Sequence, residues 1–450
     1  MPTADRPNII VFFTDQQRHD STGVHGNPLE LTPNFDRIAA RGTHLYNSFT
    51  CQPVCAPARS CLQTGLYATN TGVWRNGLTP RKDLPTLAHY FNDAGYHTGY
   101  IGKWHLAHTG ARPVPRELRG GYQSWLAADA LEHTSDAYRC ELFDDDDRLV
   151  RLPGYRVDGM TDAAIRHVEA HKDRPFFLFL SFLEPHHQNH IDDYPPPDGY
   201  RERYTGRWTP PDLLALGGSS AQHLGGYWGM VKRLDEALGR LMDALRSLSL
   251  DRRTILLFTS DHACHFKTRN GEYKRSCHDS SIRVPTALCG PGFDGGGRVE
   301  SLVSLIDLPP TMLDAAGIAV PDRMEGRSIL PLVRRQAADW PREVFVQISE
   351  SHTGRAIRTG RWKYAISADP DDVKQPSAAR YVESHLYDLA FDPHELTNLI
   401  GVESHRALAD RLRDRLVERM TRAGETAPVI VPAEPKRKGQ RAVDPSEFDF

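Results

Sequence analysis

One cysteine of the chain stands at the start of a predicted helix. Cys55 directly precedes a helix that the sequence predicts up to Thr64. The first backbone N–H groups of a helix have no partner inside it and its amino end is partly positive, so an anion reacting beside Cys55 would be stabilised. Arg59, one turn further on, adds a full positive charge.

Other interpretations of the cysteines stay open at this point. The chain has seven, an odd number that fits reduced thiols better than a disulfide framework. Cys51, Cys55 and Cys61 could be buried thiols or ligands of a structural zinc ion. Because their spacing lacks paired C-x-x-C units, the sequence disfavours zinc.

Further groups that could carry chemistry lie at the ends of predicted strands. Residues 8–13 are followed by Asp15 and Gln16, residues 254–258 by Asp261 and His262, and residues 176–183 by His186. Lys103 and His105 are two residues apart on another predicted strand and should face the same way. Taken singly, such residues are more often structural, and it is their joint placement that favours a site.

The elements that position these groups alternate between strands and helices. Helices are predicted from Thr32, as N-cap, to Gly42, over 87–94, and along the apolar positions from Tyr227 to Leu245. This alternation predicts an α/β fold in which a large, mostly parallel sheet is sandwiched by helices. Reactive groups should collect at the carboxyl ends of its strands.

The pattern changes near residue 338. We predict a catalytic α/β domain over 1–338 and a smaller C-terminal α+β subdomain over 339–450, with short strands and one helix near 405–420. From Ala427 the chain loses its apolar periodicity and includes Arg437 and Lys438. We expect this extended tail to wrap the surface or to be partly disordered.

Composition excludes several classes of protein. The chain has 450 residues, 39% hydrophobic and 25% charged, which excludes a fibre or a wholly disordered chain. With 55 Lys and Arg against 58 Asp and Glu, the net charge is −3, so no nucleic acid or anionic membrane partner is expected. No apolar run is long enough to cross a bilayer and no signal peptide is evident, so we expect a cytoplasmic protein.

The segment Cys55-Ala56-Pro57-Ala58-Arg59-Ser60-Cys61-Leu62-Gln63-Thr64-Gly65 resembles the signature of the sulfatases in the alkaline phosphatase superfamily. The resemblance extends to Gly102-Lys103-Trp104-His105, Thr259 to His262, Arg283-Val284-Pro285 and Leu386-Tyr387-Asp388-Leu389. It implies that a maturation enzyme oxidises Cys55 to formylglycine, the aldehyde whose hydrate attacks the ester. One hydroxyl would take up the sulfate group and the other would drive its release.

The resemblance also implies one divalent metal ion. It would be held by Asp15, Gln16, Cys55 as formylglycine, Asp261 and His262, and would polarise the attacking hydroxyl. Gln16 and His262 depart from the commoner aspartate and asparagine, leaving two carboxylates in the ligand set. Calcium is the first expectation, with manganese, magnesium or zinc as alternatives.

Roles for the remaining residues follow from the same resemblance. Lys103 would bind a sulfate oxygen, His105 would assist elimination, and His186, with His187 as an alternative, would protonate the leaving oxygen. Lys274 would contact the transferred group and the leaving oxygen. Arg59, Lys103 and Lys274 would together complement the charge of a sulfate ester.

The sequence therefore predicts a sulfuric ester hydrolase acting on a sulfated carbohydrate or another small organic sulfate. The departures at Gln16 and His262 keep a phosphonate monoester or phosphodiester hydrolase as an alternative. A non-catalytic anion-binding protein in which Cys55 stays an unconverted thiol is an alternative of another class. An oligomer is possible. Residues suited to a sulfated-sugar pocket are Trp74, Arg75, Asn76, His108, Trp125, Arg269 and His352.

Overall fold

Ten strands form the larger of two sheets in the computed structural model of the protein, which describes residues 6–337 and 339–436. In chain order the strands are β1 (Asn8–Thr14), β2 (Thr43–Phe49), β3 (His97–Lys103), β4 (Ser124–Ala128), β5 (Cys140–Phe143), β6 (Leu149–Leu152), β7 (Phe176–Ser181), β8 (Thr254–Ser260), β9 (Ala287–Cys289) and β10 (Gly297–Ser304). Their order across the sheet is β10-β2-β9-β8-β1-β7-β3-β4-β5-β6. Strands β5 and β9 run against the other eight, so the predicted mostly parallel sheet is confirmed.

Helices cover both faces of this sheet. The helices of the described chain are α1 (Pro33–Arg41), α2 (Cys55–Thr64), α3 (Ala68–Thr71), α4 (Leu87–Asp93), α5 (Leu131–Thr134), α6 (Arg156–Ala170), α7 (Tyr200–Tyr204), α8 (Pro211–Ala215), α9 (Ser220–Ser247), α10 (Asp279–Ile282), α11 (Leu308–Ala315), α12 (Leu330–Val333) and α13 (Arg406–Arg422). The last of these packs against the smaller sheet instead. In the part of the chain that the structure describes, none of these helices combines the length and apolar character that a membrane crossing requires.

Strand β1 shows how the layers are built. Its side chains alternate between the two faces. Ile9, Val11 and Phe13 belong to a core formed with α2, α4 and α11. Ile10 and Phe12 belong to a separate core formed with α1, α6 and α9. The nearly continuous apolar run that predicted a buried strand thus serves two cores at once.

The sequence predicts that Thr32 caps helix α1, but its side chain makes no capping hydrogen bond. The carboxylate of Asp235, on α9, accepts the free backbone N–H groups of Asn34 and Phe35 at 3.0 and 2.8 Å. The Thr32 hydroxyl instead accepts the Gly23 N–H and contacts Asp36. A charged acceptor from a neighbouring helix therefore replaces the local cap.

The second sheet lies in the C-terminal part of the chain. Its strands are β11 (Glu343–Ile348), β12 (Gly354–Thr359), β13 (Trp362–Ser367), β14 (Arg380–Asp388) and β15 (Val429–Val431), in that order across the sheet. Strand β15 pairs in parallel with β14, so part of the predicted tail adds a strand; its short apolar run was too weak a signal to predict it. Arg437 and Lys438 lie outside the described residues.

Two shared cores join the second sheet to the rest of the protein. One contains Phe345 and Leu416 together with the buried thiols of Cys51 and Cys61. The other contains Val346 and Phe49, at the end of β2. The proposed division after residue 338, which is itself outside the described residues, stays a prediction.

Candidate active site

The ends of β1 and β8 bring two carboxylates together. The two strands are parallel neighbours, with Thr14 opposite Ser260, so Asp15 and Asp261 leave the sheet at the same edge. Both side chains are fully buried. Asp261 Oδ1 accepts the backbone N–H of Gln16 at 3.0 Å, where Gln16 has a φ of +69°. The carboxyl ends of the central strands therefore hold the acidic part of the site.

Helix α2 brings Cys55 to these carboxylates. Cys55 is the first residue of the helix and is 1% exposed. Its Sγ lies 3.6 Å from Asp15 Oδ1, 3.3 Å from His262 Nε2 and 2.8 Å from Lys274 Nζ. Burial alone would raise the pKa of the thiol, but the charges of Lys103 and Lys274 outweigh it and lower the pKa well below its usual range. Position 55 is thus a place where negative charge is stabilised.

Four buried side chains could hold one metal ion here: Asp15, Cys55, Asp261 and His262, whose donor atoms all lie within 4.8 Å of one another. Within the described chain, Asp261 Oδ2 is buried without a hydrogen bond and has Arg59 at 3.5 Å. Burial, and then the charge of Asp15, raise the pKa of Asp261 to about 6. A divalent cation would relieve this repulsion, so the donor set fits one.

Gln16 was predicted to be a ligand of the same ion. Its amide Nε2 donates to Tyr194 Oη at 3.3 Å and to Cys264 Sγ at 3.2 Å. Its Oε1 is buried and has no hydrogen-bond partner among the described residues. The orphaned amide oxygen is the Gln16 atom that remains for a cation, and its role as a ligand stays a prediction.

Two buried cations neutralise Asp15 from the other side. Lys103 Nζ and Arg59 Nη2 lie 2.8 and 3.0 Å from Asp15 Oδ2. Burial and the Cys55 thiolate act to raise the pKa of Asp15, yet Lys103, His186 and Arg59 hold it well below its usual range. Asp15 therefore stays ionised over the physiological pH range.

Sequence reasoning missed Glu132, which pairs with Lys103 at 3.1 Å. Glu132 lies on the four-residue helix α5 and is buried. Burial opposes its ionisation, but Lys103 lowers its pKa to about 2. Glu132 follows the end of β4, a strand that the sequence analysis does not predict, and no motif marks the residue.

His105 reaches the site by a different route from the one predicted. Strand β3 ends at Lys103, and His105 lies beyond it with a φ of +61°. The expected alternation along one continuous strand is therefore wrong. His105 nevertheless lines the same pocket as Cys55, and its Nδ1 is buried with no hydrogen-bond partner among the described residues.

The neighbouring histidines after β7 occupy different environments. His186 Nε2 lies 3.2 Å from Lys274 Nζ, and its Nδ1 contacts the His187 carbonyl at 2.6 Å. Burial, followed by the charge of Lys274, lowers the pKa of His186. His187 packs against the Tyr273 ring, with centroids 4.4 Å apart. Of the two, His186 lies directly beside the group that contacts Cys55.

Four of the six predicted catalytic residues border an open pocket of about 310 Å³, whereas Arg59 and Lys103 are not part of its lining. Its lining includes Cys55, His105, His186 and Lys274, together with Asn76, Glu132, Asn189, Glu272 and Tyr273. Of the predicted sugar-pocket residues, Asn76 borders it, and its Oδ1 accepts the Ala56 N–H at the start of α2. The prediction for Trp125 is wrong, because its side chain is buried in the core that contains Ile9 and Val11 of β1. Arg269 lines a separate cavity.

Comparison with known proteins extends over most of the chain. A family model for sulfatases matches residues 7–318, and a model for the C-terminal part of N-sulphoglucosamine sulphohydrolase matches residues 271–422. An ulvan-active sulfatase of Formosa agariphila is 29% identical, covering 93% of this chain and 82% of that protein.

Two solved structures share the fold. One, from work on the metabolism of multiple glycosaminoglycans by Bacteroides thetaiotaomicron, has a TM-score of 0.81 and 23% identity, over 93% of this chain and 97% of that one. The other, the phosphonate monoester hydrolase of Agrobacterium radiobacter, has a TM-score of 0.73 and 24% identity, over 93% and 96%. Because the sulfatase model alone matches more than half of the 450 residues, the chain belongs to the sulfatase family of the alkaline phosphatase superfamily and is a sulfatase.

Proposed function

We propose that this sulfatase hydrolyses the sulfate ester of a sulfated carbohydrate, and that Cys55 is first converted to formylglycine. One observation carries the proposal: residue 55 opens helix α2 and contacts Asp15, His262 and Lys274 at once. Cys55 Sγ stands in for an oxygen of the hydrated aldehyde. Conversion requires a maturation enzyme that oxidises the cysteine, which makes that enzyme a partner of this chain.

The covalent steps involve two hydroxyls on one carbon. One hydroxyl gives up its proton as its oxygen attacks the ester sulfur. The bond between that sulfur and the alcohol oxygen breaks, the alcohol oxygen takes up a proton, and a formylglycine sulfate remains at residue 55. The second hydroxyl then loses its proton, the aldehyde C=O reforms, and sulfate departs with its bridging oxygen. Water hydrates the aldehyde again, so ester plus water gives alcohol plus sulfate.

The surrounding side chains supply and remove the protons. Lys274 Nζ, 2.8 Å from Cys55 Sγ, and His186 Nε2, 3.2 Å from that Nζ, are placed to protonate the departing alcohol oxygen. His105, which lines the same pocket, is placed to accept the proton of the second hydroxyl. Arg59 and Lys103 hold Asp15 in its ionised form.

A different set of side chains in the same site would hold a divalent cation. Asp15, Asp261, His262 and the Gln16 amide oxygen are the proposed ligands of this chain, alongside an oxygen at position 55. Such an ion polarises the attacking oxygen and offsets the sulfate charge. We propose calcium on the basis of the oxygen donors, with manganese, magnesium or zinc as the alternatives that an imidazole ligand would suit.

Three observations support a carbohydrate substrate. The pocket is open and bordered by side chains that hydrogen-bond sugars, among them Asn76 and Asn189. The relative from Formosa agariphila is active on ulvan. The glycosaminoglycan-related structure shares the fold over 93% of this chain.

The test combines mass spectrometry with turnover. Formylglycine at position 55 lowers the peptide mass by about 18 Da relative to cysteine, and hydration restores it. We expect the converted wild type to release sulfate from one or more members of a panel of defined sulfated mono- and oligosaccharides, and Cys55→Ala to be folded but inactive. A fully active protein with an unmodified Cys55 thiol would overturn the formylglycine route. A converted, folded protein inactive on every member of the panel would overturn the carbohydrate assignment.

A second candidate function is phosphonate monoester hydrolysis. It is favoured by the donor set of two carboxylates and the His262 imidazole, and the Agrobacterium radiobacter enzyme shares the fold. Matched aryl sulfate and aryl phosphonate esters distinguish the two. A higher kcat/KM on the phosphonate would make it the preferred function.

A further inference from the structure

The segment that carries α10 borders a second polar cavity. It has a volume of about 300 Å³ and shares no lining residue with the pocket at Cys55. Its walls include His19, from the loop after β1, Arg269, and Ser280 and Arg283 of the α10 segment. None of these four residues has a role in the proposed reaction.

The carboxylates that border this cavity are already paired with cations. Asp20 and Asp212 lie 2.6 and 2.8 Å from Arg18, and Asp279 and Glu395 lie 2.6 and 2.5 Å from Lys363. Arg358 approaches Asp279 as a second cation at 3.3 Å. Around these acids, the positive and negative charges therefore differ by one, in favour of the negative.

Arg269 and Arg283 reverse that balance. Arg269 donates to the backbone carbonyls of Glu395 and His394 at 2.8 and 2.7 Å. Arg283 Nη2 donates to the Tyr46 carbonyl oxygen and to Asn47 Oδ1, each at 3.0 Å. Among the described residues neither guanidinium forms an ion pair with a carboxylate, and the Nε of each is buried without a hydrogen bond. Two uncompensated cations give the cavity a surplus of one positive charge.

Two neutral groups complete the site. Ser280 is 6% exposed, and its Oγ has no hydrogen-bond partner within the described chain; the same holds for the buried Nδ1 of His19. Buried polar groups are nearly always satisfied. Three orphaned donors around one cavity, joined by the His19 imidazole in the tautomer that carries its proton on Nδ1, call for a common acceptor. A tetrahedral oxyanion offers several acceptor oxygens and a matching charge, and arginine is well suited to bind it.

We propose that this cavity is a second anion site that binds a small tetrahedral oxyanion through Arg269, Arg283, Ser280 and His19. The oxyanion is either free sulfate or phosphate, or the sulfate group of a carbohydrate chain. Since none of its four residues borders the catalytic pocket, the proposal does not depend on the proposed function.

Crystals of the protein soaked in selenate test the position of the proposed site. Selenate is a tetrahedral analogue of sulfate, and its selenium atom can be located by anomalous scattering. We expect one anomalous peak in hydrogen-bond contact with Arg269 and Arg283, separate from any peak near residue 55. A parallel soak of Cys55→Ala with N-acetylglucosamine 6-sulfate distinguishes the sources: a sugar ring seen here without a selenate peak would assign the site to carbohydrate. Only water in the cavity in both soaks would overturn the proposal.

Calorimetric titration with selenate, at constant ionic strength, tests the residues. Ser280→Ala removes an unpartnered hydroxyl and should fold normally, yet we expect about a tenfold loss of affinity for the second site. Arg283→Gln should abolish that site, whereas Arg41→Gln, which removes an exposed arginine paired with Asp294, should not alter it. Unchanged binding in Ser280→Ala and Arg283→Gln would refute the assignment.

Discussion

Lys274 is a buried charge that should matter for catalysis but not for stability. Its Nζ contacts Cys55, His186 and His262, and within the described chain it forms no ion pair with a carboxylate. Lys274→Met therefore removes positive charge from the reacting centre without stranding an acid. We expect kcat/KM on a sulfate ester to fall by about 10²–10³-fold, with the thermal midpoint nearly unchanged.

Lys363 provides the matched contrast. It is equally buried, but it pairs with Asp279 and Glu395 at 2.6 and 2.5 Å and lies outside the catalytic pocket. Lys363→Met leaves the buried Glu395 without its cation and Asp279 with Arg358 alone, at 3.3 Å, and should cost about 3–5 kcal/mol of stability. Thermal unfolding and steady-state kinetics of both variants check the pair. Near-normal activity in folded Lys274→Met would exclude this lysine from the chemistry.

Asp261 allows cation binding to be tested without turnover. Its pKa is raised by burial and by the nearby Asp15 charge. A divalent cation that binds only the folded state stabilises it by RT ln(1 + c/Kd), where c is the free cation concentration. We expect calcium to raise the thermal midpoint of chelator-treated wild type at neutral pH. Asp261→Asn should lose most of that increase.

Asp235→Asn serves as the control for that experiment. Asp235 is another buried aspartate, but it caps α1 and belongs to no cluster of metal-ligating groups in the described residues. It should keep the full response to calcium. Equal responses in the two variants would refute the assignment of Asp261 as a ligand.

At the scale of elements, the close contact of β3 with β7 requires a glycine before Lys103. Gly102 has a φ of +109°, and a Cβ there would lie 2.0 Å from the Ser181 carbonyl oxygen and 2.4 Å from Met160 Cε. Gly102→Ala should therefore separate the two strands and displace Lys103. We expect about 3–5 kcal/mol of lost stability and a large loss of activity.

Gly95, just before β3, tests whether the backbone conformation alone is responsible. It also has a positive φ, +82°, but a Cβ would meet no atom within 4 Å. Gly95→Ala should cost only about 1–2 kcal/mol and retain activity. Urea unfolding and kcat/KM of the two variants give the comparison, and equal losses would contradict the steric argument.

At the scale of the whole molecule, the sequence predicts what is local and periodic. The strand that precedes Asp261 and the helix that begins at Cys55 both follow from apolar patterns and end signals. Because parallel strands deliver such residues to one edge, the meeting of the two segments could also be anticipated.

Long-range contacts are what the sequence does not predict. Glu132 pairs with Lys103, 29 residues away, and Asp235 replaces Thr32 as a cap from 201 residues beyond Asn34. Neither partner belongs to a motif, and each is chosen by tertiary packing. Likewise, His105 reaches the pocket only because β3 stops two residues earlier than its pattern suggested.

The buried carboxyl group of Asp307 should make the stability of the whole protein depend on pH. Its carboxylate accepts the backbone N–H groups of Ser304 and Arg327, which lower its pKa, but burial is the larger effect and raises the pKa to about 6. In the unfolded chain the group ionises near its ordinary 3.8. Between these values the folded protein holds a proton that the unfolded chain has lost, so stability falls as pH rises through this window.

We expect the free energy of unfolding of wild type, relative to Asp307→Asn, to decrease by up to about 3 kcal/mol between about pH 4 and pH 7. Urea titrations of both proteins across that range measure the difference, in which the other titrating groups cancel. Asp314→Asn, at an exposed position on the adjacent α11, should instead leave the wild-type pH profile unchanged. If the difference between wild type and Asp307→Asn stayed constant with pH, Asp307 would have to titrate alike in both states, and burial would not control its ionisation.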